Sequence, residues 1–237
     1  MAFVHLHNHT EYSLLDGATK VNAMARQAKE FGMEAIAITD HGYMYGVPAF
    51  FDACKREKIK PIIGCEIYFT PDSELRRDRK PELYHLILLA KTSKGYHNLI
   101  KIVSSAAVDG FYYKPRVTLE SLRAHSEGLI ATSACMLGVV SQMLLANRRD
   151  EARVWAERYA ELFAPGDFYV ELQDQGMLLR EGLSQHQLNE QLSSLAREVG
   201  LKTVAANDMH YLRKDDSAMQ DIMLCIGTGS KFDDPSR

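Results

Sequence analysis

Short apolar runs alternate along the chain with longer segments in which apolar residues recur every three or four positions. Short apolar runs are typical of buried strands, and the three-to-four spacing is typical of amphipathic helices. The pattern predicts seven strands, at residues 4–7, 35–39, 61–69, 86–90, 129–132, 168–172 and 203–206. It predicts helices at residues 21–31, 49–58, 95–107, 150–163 and 182–199.

This alternation predicts an α/β fold with a parallel sheet. The most economical closure is a distorted seven-stranded (β/α)7 barrel of the TIM type, and an open doubly wound sheet is the alternative. Gly32, Gly128 and Gly200 each precede an apolar run, as expected of glycines that end helices. In such a barrel the C-terminal strand ends meet at one mouth, where active sites are found.

The chain has 237 residues and a hydrophobic content of 46%, enough for one sizeable core. We therefore expect one domain over residues 1–226 and a linker over residues 227–237, with a mobile, charged surface loop at residues 72–82. The sequence starts without a basic or apolar leader and has no run near the roughly 18 apolar residues of a membrane span. We expect a cytoplasmic protein without a membrane partner.

The formal net charge of −3 gives no overall basic surface for nucleic acid. Contact with DNA would have to be local, and the basic clusters at residues 55–56, 76–80 and 148–149 are candidates. The four cysteines form no C-x-x-C pair, which favours reduced thiols: Cys54, Cys65, Cys135 and Cys225. Each is then either a metal ligand or a buried side chain.

His5, His7 and His9 alternate along the first predicted strand, so their side chains share one face. His7 and His9 are nearest the C-terminal end of this strand, where an i, i+2 pair can bind one metal ion. His5 would lie about 7 Å deeper. We therefore expect it to fill the barrel or to hydrogen-bond a ligand, and not to bind metal itself.

Residues of the types that bind metals also follow other predicted strands. They are Asp40, His41, Glu66, Cys135, Asp208 and His210. Carboxylates gathered at one mouth would repel one another unless divalent cations neutralised them. A single histidine or cysteine at a strand end is more often structural, but the repetition at five strand ends favours a metal site.

Four short segments resemble the metal motifs of the PHP (polymerase and histidinol phosphatase) family, namely residues 7–10, 38–42, 64–66 and 207–210. Residues 3–17 and 110–116 resemble more narrowly the PHP domains of bacterial replicative polymerases, the DNA polymerase III alpha family. Residues 233–235 resemble the boundary before the palm domain of those polymerases. The resemblance covers essentially the whole chain, and it implies a domain cut from the N-terminus of such a polymerase, without the palm domain that extends a primer.

The resemblance implies a site for three divalent metal ions, with Zn²⁺, Mn²⁺ and Fe²⁺ all compatible with the mixed ligands. The implied ligands are His7, His9, Glu66 and Asp208 for one ion, Glu66, His85 and Cys135 for a second, and Asp16, His41 and His210 for a third. His85 fits least well, because it begins its apolar run and so lies at the wrong end of an ideal barrel strand. His97 and His125 are rivals only in an irregular strand, and otherwise are helix-surface histidines.

The resemblance further implies a phosphodiesterase in which clustered metal ions activate water for attack on phosphorus, with 3′–5′ exonuclease (proofreading) action on a DNA 3′ end. The residues expected to carry catalysis are Asp208, His210, Glu66 and Asp40. Those expected to bind substrate, by stacking on bases and contacting phosphates, are Tyr112, Tyr113, Lys114 and Arg116.

Two other functions remain open at this point. One is a phosphomonoesterase of the histidinol-phosphatase type, which would use the same metals on a small molecule. The other is a metal-stabilised structural module that supports the polymerase. The partners implied are the polymerase domains of the same parent chain, the replisome subunits of the holoenzyme and a DNA 3′ end.

Overall fold

The computed structural model describes residues 3–72, 75–78, 80–179 and 182–234. Its strands are β1 Ala35–Ile38, β2 Lys60–Thr70, β3 Tyr84–Ala90, β4 Arg116–Thr118, β5 Leu129–Thr132, β6 Phe168–Leu172 and β7 Lys202–Ala205. Its α-helices are α1 Val21–Glu30, α2 Val47–Glu57, α3 Ser93–Val108, α4 Leu119–His125, α5 Val139–Leu145, α6 Arg149–Leu162, α7 Gln185–Glu198 and α8 Ser217–Thr228. A short 3₁₀ helix, Lys214–Asp216, precedes α8.

The strands form one mixed sheet in the order β1-β2-β3-β5-β6-β7, and β4 pairs with the end of β2. β3 runs antiparallel to both of its neighbours, β2 and β5, while the other pairs are parallel. The predicted α/β class is confirmed. The sheet is a curled half-barrel of mixed strands, and a closed parallel (β/α)7 barrel is not confirmed.

The first predicted strand does not form a regular ladder. Its segment lies between β1 and the chain that follows β7, where the amide of Ala37 donates to His5 and the amide of Met209 donates to His7, at 3.0 and 3.1 Å. The side-chain amide of Asn8 donates to the main-chain oxygens of His5 and Ala37. These contacts hold the segment between its two neighbours without a regular ladder.

The hydrophobic pattern located α1, α2, α3, α6 and α7 and six of the strands, and missed β4, α4, α5 and α8. Of the missed elements, β4, α4 and α5 span only three to seven residues each, whereas α8 spans twelve. Residues 75–78 and 80–82 of the predicted charged loop lie in no helix or strand, and residues 73, 74 and 79 fall outside the described residues. α8 continues to Thr228, past the predicted boundary at residue 226, and residues 235–237 of the predicted linker are likewise outside.

Two main hydrophobic clusters hold the strands in place, and a third, small one contains Ala37, Ile87, Leu89 and Ala134. The larger cluster packs the middle strands against α3 and the later helices, with Phe69, Leu86, Leu88, Ile102 and Tyr159 fully buried. The smaller cluster packs α1 and α2 against β1, whose four residues are all buried. Burial of apolar surface stabilises the folded state by about 25 cal/mol per Å². The two main clusters therefore hold the strands, and with them the strand ends, in place.

Gly32 and Gly200 adopt the left-handed backbone, with φ of 71° and 70°, directly after α1 and α7. This conformation is open to glycine at little cost, which explains why each helix ends there. The predicted helix ends at these glycines are therefore confirmed. In the described part of the chain, no helix combines the length and the apolar character needed to cross a bilayer.

Candidate metal centre

Histidines and carboxylates converge on one rim of the sheet. Three groups of ligand atoms each lie within 4.8 Å of one another. The groups are His7, His9, Glu66 and Asp208; His41, Glu66 and His85; and His9, His41 and His210. Residues that are far apart in sequence therefore meet, as the repeated strand-end pattern predicts.

Three ligand atoms of the first group have the mutual spacing of a tetrahedral metal site, and the fourth, Glu66 Oε2, lies 2.7 Å from His7 Nε2 and 3.7 Å from His9 Nε2. His7 Nε2 lies 3.2 Å from His9 Nε2 and 3.2 Å from Asp208 Oδ1, and His9 Nε2 lies 3.3 Å from Asp208 Oδ1. Four ligands at about 2.0 Å from a zinc ion would be separated by about 3.3 Å. Asp208 Oδ1 is buried and makes no hydrogen bond with any described residue. These donors thus fit a divalent cation.

Glu66 connects the groups because its two oxygens face different histidines. Oε2 lies 2.7 Å from His7 Nε2, whereas Oε1 lies 2.8 Å from His85 Nδ1 and 2.6 Å from His41 Nδ1. Cys135 joins on the His85 side, with Sγ 3.6 Å from His85 Nδ1. Glu66 is therefore placed between two candidate metal positions, as a bridging carboxylate requires.

The third group implied by the resemblance also comes together. Asp16 Oδ2 lies 2.7 Å from His41 Nε2 and 3.4 Å from His210 Nε2. The ring of His9 stacks on those of His41 and His210, with centroids 3.9 and 4.3 Å apart. Close packing of imidazoles draws the first and third groups into one continuous cluster.

Charge is balanced within this cluster by paired groups. Burial alone would lower the pKa of His41, but Glu66 and Asp16 outweigh it and raise this pKa to about 10. Burial alone would raise the pKa of Glu66, but His85 and His41 outweigh it and hold this pKa well below its usual range. The pKa of Asp208 is likewise depressed, because His7 and His9 outweigh its burial. The carboxylates stay ionised, and metal cations could replace the protons that balance them.

The Cys135 thiol lies in the opposite situation. Burial raises its pKa well above the usual range, and the charges of Glu66 and Asp208 raise it further. A metal ion at this position would have to displace the thiol proton, as zinc does with its cysteine ligands. Cys65 is buried too, but its Sγ donates to the Asp40 main-chain oxygen at 3.3 Å, which is a structural contact.

His85 lies at the start of its strand and still reaches the site. The reason is the direction of β3, which runs antiparallel to β2 and pairs His85 with Tyr68. The start of an antiparallel strand lies at the same rim as the ends of its neighbours. Apolar periodicity does not reveal strand direction, so the strand pattern alone could not place His85 at this rim.

Glu171 hydrogen-bonds to a residue of the site and was not predicted from the sequence. It is buried in β6 and accepts a hydrogen bond from His7 Nδ1 at 2.7 Å, and from Thr132 and Gln173. A carboxylate behind a metal-binding histidine fixes the ring and its tautomer. The available signal was an acidic residue within an apolar run, since such a residue is rarely buried without a partner.

Asp40 lies beside the cluster and is fully engaged with its neighbours. Its oxygens accept from the amide and hydroxyl of Thr10 and from the hydroxyl of Ser13, at 2.6 to 3.0 Å. These contacts tie the loop that carries Asp16 to the end of β1. The catalytic role expected of Asp40 stays a prediction, and its contacts are those of a residue that positions others.

Strained backbone accompanies the ligands. Leu15, Ala134 and Asp208 have φ of 62°, 59° and 50°, a left-handed conformation that non-glycine residues rarely adopt. Leu15 precedes Asp16, and Ala134 precedes Cys135. Such residues each cost about 1–3 kcal/mol and collect where a binding site requires them.

The residues expected to bind substrate divide into two kinds. Tyr113 and Lys114 line an open cleft of about 510 Å³ that also contains Asp16 and His41. Arg116 is buried and donates to the main-chain oxygens of Gly110, Arg76 and Leu75. These contacts are those of a residue that holds the chain in place, and the expectation that Arg116 binds a phosphate stays a prediction.

The remaining predicted positions lie outside the cluster or at its edge. Tyr112 is half-buried, and the Arg116 guanidinium lies over its ring, 5.5 Å from the ring centre. His5 packs against Phe3, with ring centres 4.8 Å apart. His97 and His125 each contact a main-chain oxygen one turn earlier in their own helices, as expected of helix-surface histidines.

The chain matches the PHP domain family over residues 5–175. DNA polymerase III subunit alpha of Treponema pallidum is 44% identical over 240 residues, which cover 100% of this chain and 20% of that protein. The corresponding proteins of Helicobacter pylori J99 and Thermus aquaticus are 42% and 40% identical, again over 100% of this chain and 20% and 19% of theirs. The chain spans about a fifth of the length of these curated relatives.

Two solved structures share the fold at low sequence identity. A candidate metal-dependent phosphoesterase from Bifidobacterium adolescentis aligns with a TM-score of 0.50 and 14% identity over 87% of each chain. An amidohydrolase from Chromobacterium violaceum aligns with a TM-score of 0.50 and 13% identity, over 90% of this chain and 89% of that one.

Proposed function

The chain belongs to the PHP domain family, and we propose that it is a metal-dependent phosphoesterase domain of a bacterial DNA polymerase III alpha subunit that removes nucleotides from DNA 3′ ends. The observation that carries the proposal is the position of Glu66. Its two oxygens face two sets of metal-binding side chains, 2.7 Å from His7 on one side and 2.8 Å from His85 on the other. Adjacent metal positions of this kind suit phosphoryl chemistry.

We propose three divalent ions, of Zn²⁺, Mn²⁺ or Fe²⁺, held by the three ligand sets that the resemblance implies. When bound, such ions supply Lewis acidity, charge neutralisation and activated water at neutral pH. The chain's own residues set where this chemistry occurs. Asp208, Glu66 and His210 supply ligands, while Glu171 orients the His7 ring and Asp40 holds the Asp16 loop in place.

Substrate would approach through the cleft beside Asp16 and His41. Lys114 is exposed there, and its ammonium lies 5.1 Å from the centre of the Tyr68 ring. A cation in this position can contact a backbone phosphate on the 5′ side of the scissile one. The relatives' name favours DNA as the substrate, with the polymerase domains of the parent chain and replisome subunits as partners.

The test is hydrolysis of a 3′-mismatched, end-labelled primer-template by metal-reconstituted protein. We expect stepwise shortening from the 3′ end, and its loss in a double variant, Asp208→Asn with His210→Ala. A matched control, Asp150→Asn with His186→Ala, changes the same residue types at exposed positions and should keep the activity.

The alternatives predict other outcomes of the same experiment. Protein that binds metal tightly and cuts nothing would instead be a structural module. Cleavage of p-nitrophenyl phosphate with none of the DNA would indicate a small-molecule phosphomonoesterase. Shortening that survives in the double variant would show that another site, or another protein, is responsible.

A further inference from the structure

Exposed apolar side chains are concentrated at the mouth of the cleft beside the metal centre. Leu14, Tyr45 and Tyr113 are 79%, 66% and 65% exposed, and Leu15 and Phe111 are about half exposed on the same cleft. Exposed apolar groups clustered in this way mark a binding surface. The cleft connects this surface with Asp16 and His41.

Two of the aromatic rings are already arranged as a flat stack. The rings of Tyr43 and Tyr45 lie with centroids 4.9 Å apart and an angle of 10° between their planes. Tyr43 is half-buried and supports the stack, whereas Tyr45 is largely exposed. A flat aromatic face next to solvent can take a further planar ring on top of it.

Lys114 places a positive charge in the cleft, where it can contact the phosphates of a nucleic-acid backbone. Lys114 lies over the Tyr68 ring, and Tyr68 in turn stacks beside His41, with ring centres 6.1 Å apart. A basic group thus stands between the aromatic mouth and the metal ligands. Proteins that bind single strands combine aromatic platforms for bases with basic groups for the backbone.

We propose that the Tyr43–Tyr45 stack is a base-stacking platform that makes the site specific for an unpaired nucleic-acid 3′ end. This inference rests on the proposed function, because it places the scissile phosphate at the metal centre. A base reaches Tyr45 only when its faces are free of neighbouring base pairs, and so a paired end must open first. A small phosphomonoester has no base that could use the platform.

The test is binding, measured separately from cleavage. The whole chain carrying Asp208→Asn with His210→Ala, in which we expect no cleavage, is titrated against a fluorescent oligothymidylate and against a blunt duplex of the same length, with anisotropy as the signal. We expect tighter binding to the single strand. Tyr45→Ala should weaken single-strand binding by roughly tenfold, as the loss of one stacking partner does, while Tyr45→Trp should retain it.

Phe31→Ala is the matched control, because Phe31 is an equally exposed aromatic residue outside the cleft. It should leave binding unchanged. The platform would be overturned if Tyr45→Ala bound like its parent, or if duplex and single strand bound equally.

The two proposals fail in distinguishable ways. If metal-loaded wild-type protein cuts no DNA but its binding still depends on Tyr45, the proposed hydrolysis fails and the platform stands. If the rate of DNA cleavage depends neither on base pairing at the 3′ end nor on Tyr45→Ala, the proposed hydrolysis stands and the proposed base-stacking platform is overturned.

Discussion

The floor and the mouth of the site are built in opposite ways. On the floor, His7, His9 and Glu66 are buried, and each has partners within hydrogen-bond distance. At the mouth, Tyr45 and Tyr113 are mostly exposed. A side chain fixed by many partners holds geometry, whereas one with few can adapt to what it binds. We therefore expect the floor to determine the chemistry and the mouth to determine the choice of substrate.

The largest effect should follow a change at the centre of the floor. Glu66→Gln keeps the shape but removes the charge that faces two ligand sets, so we expect the rate of DNA cleavage to fall on the order of 10²–10³-fold. Metal content measured by mass spectrometry should fall as well. Glu161→Gln, on the exposed face of α6, is the control. If Glu66→Gln kept the wild-type metal content and cleavage rate, the role expected of the floor would be wrong.

Removing the metals should destabilise the floor. A ligand present at 100 times its Kd stabilises the folded state by about 2.7 kcal/mol, which for a domain of this size shifts Tm by about 5–10 °C. We expect a chelator to lower Tm by this amount, and the Asp208→Asn, His210→Ala variant to lose most of the shift. Tyr45→Ala should keep it, because Tyr45 lies at the mouth. If the chelator changed Tm equally in both variants, the floor and the mouth would not differ in their dependence on metal.

A smaller effect should follow loss of the support behind His7. Glu171→Ala removes the acceptor that fixes the His7 ring, so we expect metal affinity to fall by about 10–100-fold. Competition with a chromophoric chelator measures the affinity, and circular dichroism checks the fold. Glu171→Gln should be milder, since its amide oxygen can still accept from Nδ1. An unchanged affinity in Glu171→Ala would show that Glu171 does not orient His7 for metal binding.

The smallest effect belongs to the mouth. Lys114→Ala should weaken single-strand binding a few-fold, whatever the base sequence. The slope of log Kd against the logarithm of the salt concentration should fall by the contribution of about one phosphate contact. Titrations at several salt concentrations measure both. Lys101→Ala, on the exposed face of α3, is the matched control. An unaltered salt slope would show that Lys114 meets no phosphate.

Much of the floor could be predicted from sequence because strand ends carry a repeated pattern. His7, His9 and Asp208 follow from it, and the structure brings them together. His85 could not be placed by periodicity, since the period of apolar residues is the same in either strand direction. The antiparallel β3 makes the difference.

The mouth was harder to predict, because exposure depends on tertiary packing. Tyr112 and Tyr113 are adjacent in sequence, yet Tyr113 lines the cleft and Tyr112 does not. Arg116 donates to three main-chain oxygens, and the sequence gives no sign of these contacts. Tyr43 and Tyr45 stand next to the Asp40–His41 motif, but only the fold shows that their rings stack.

The antiparallel β2–β3 hairpin also has a consequence for variation in length. Its connection leaves β2 at Thr70 and returns at Tyr84, on the side of the sheet where Glu66 and His85 lie. Loop-closure entropy rises slowly with length, so insertions in this connection would cost little stability. Engineered insertions could therefore add a cover to the site without moving its ligands, provided that the segment held by Arg116 is kept.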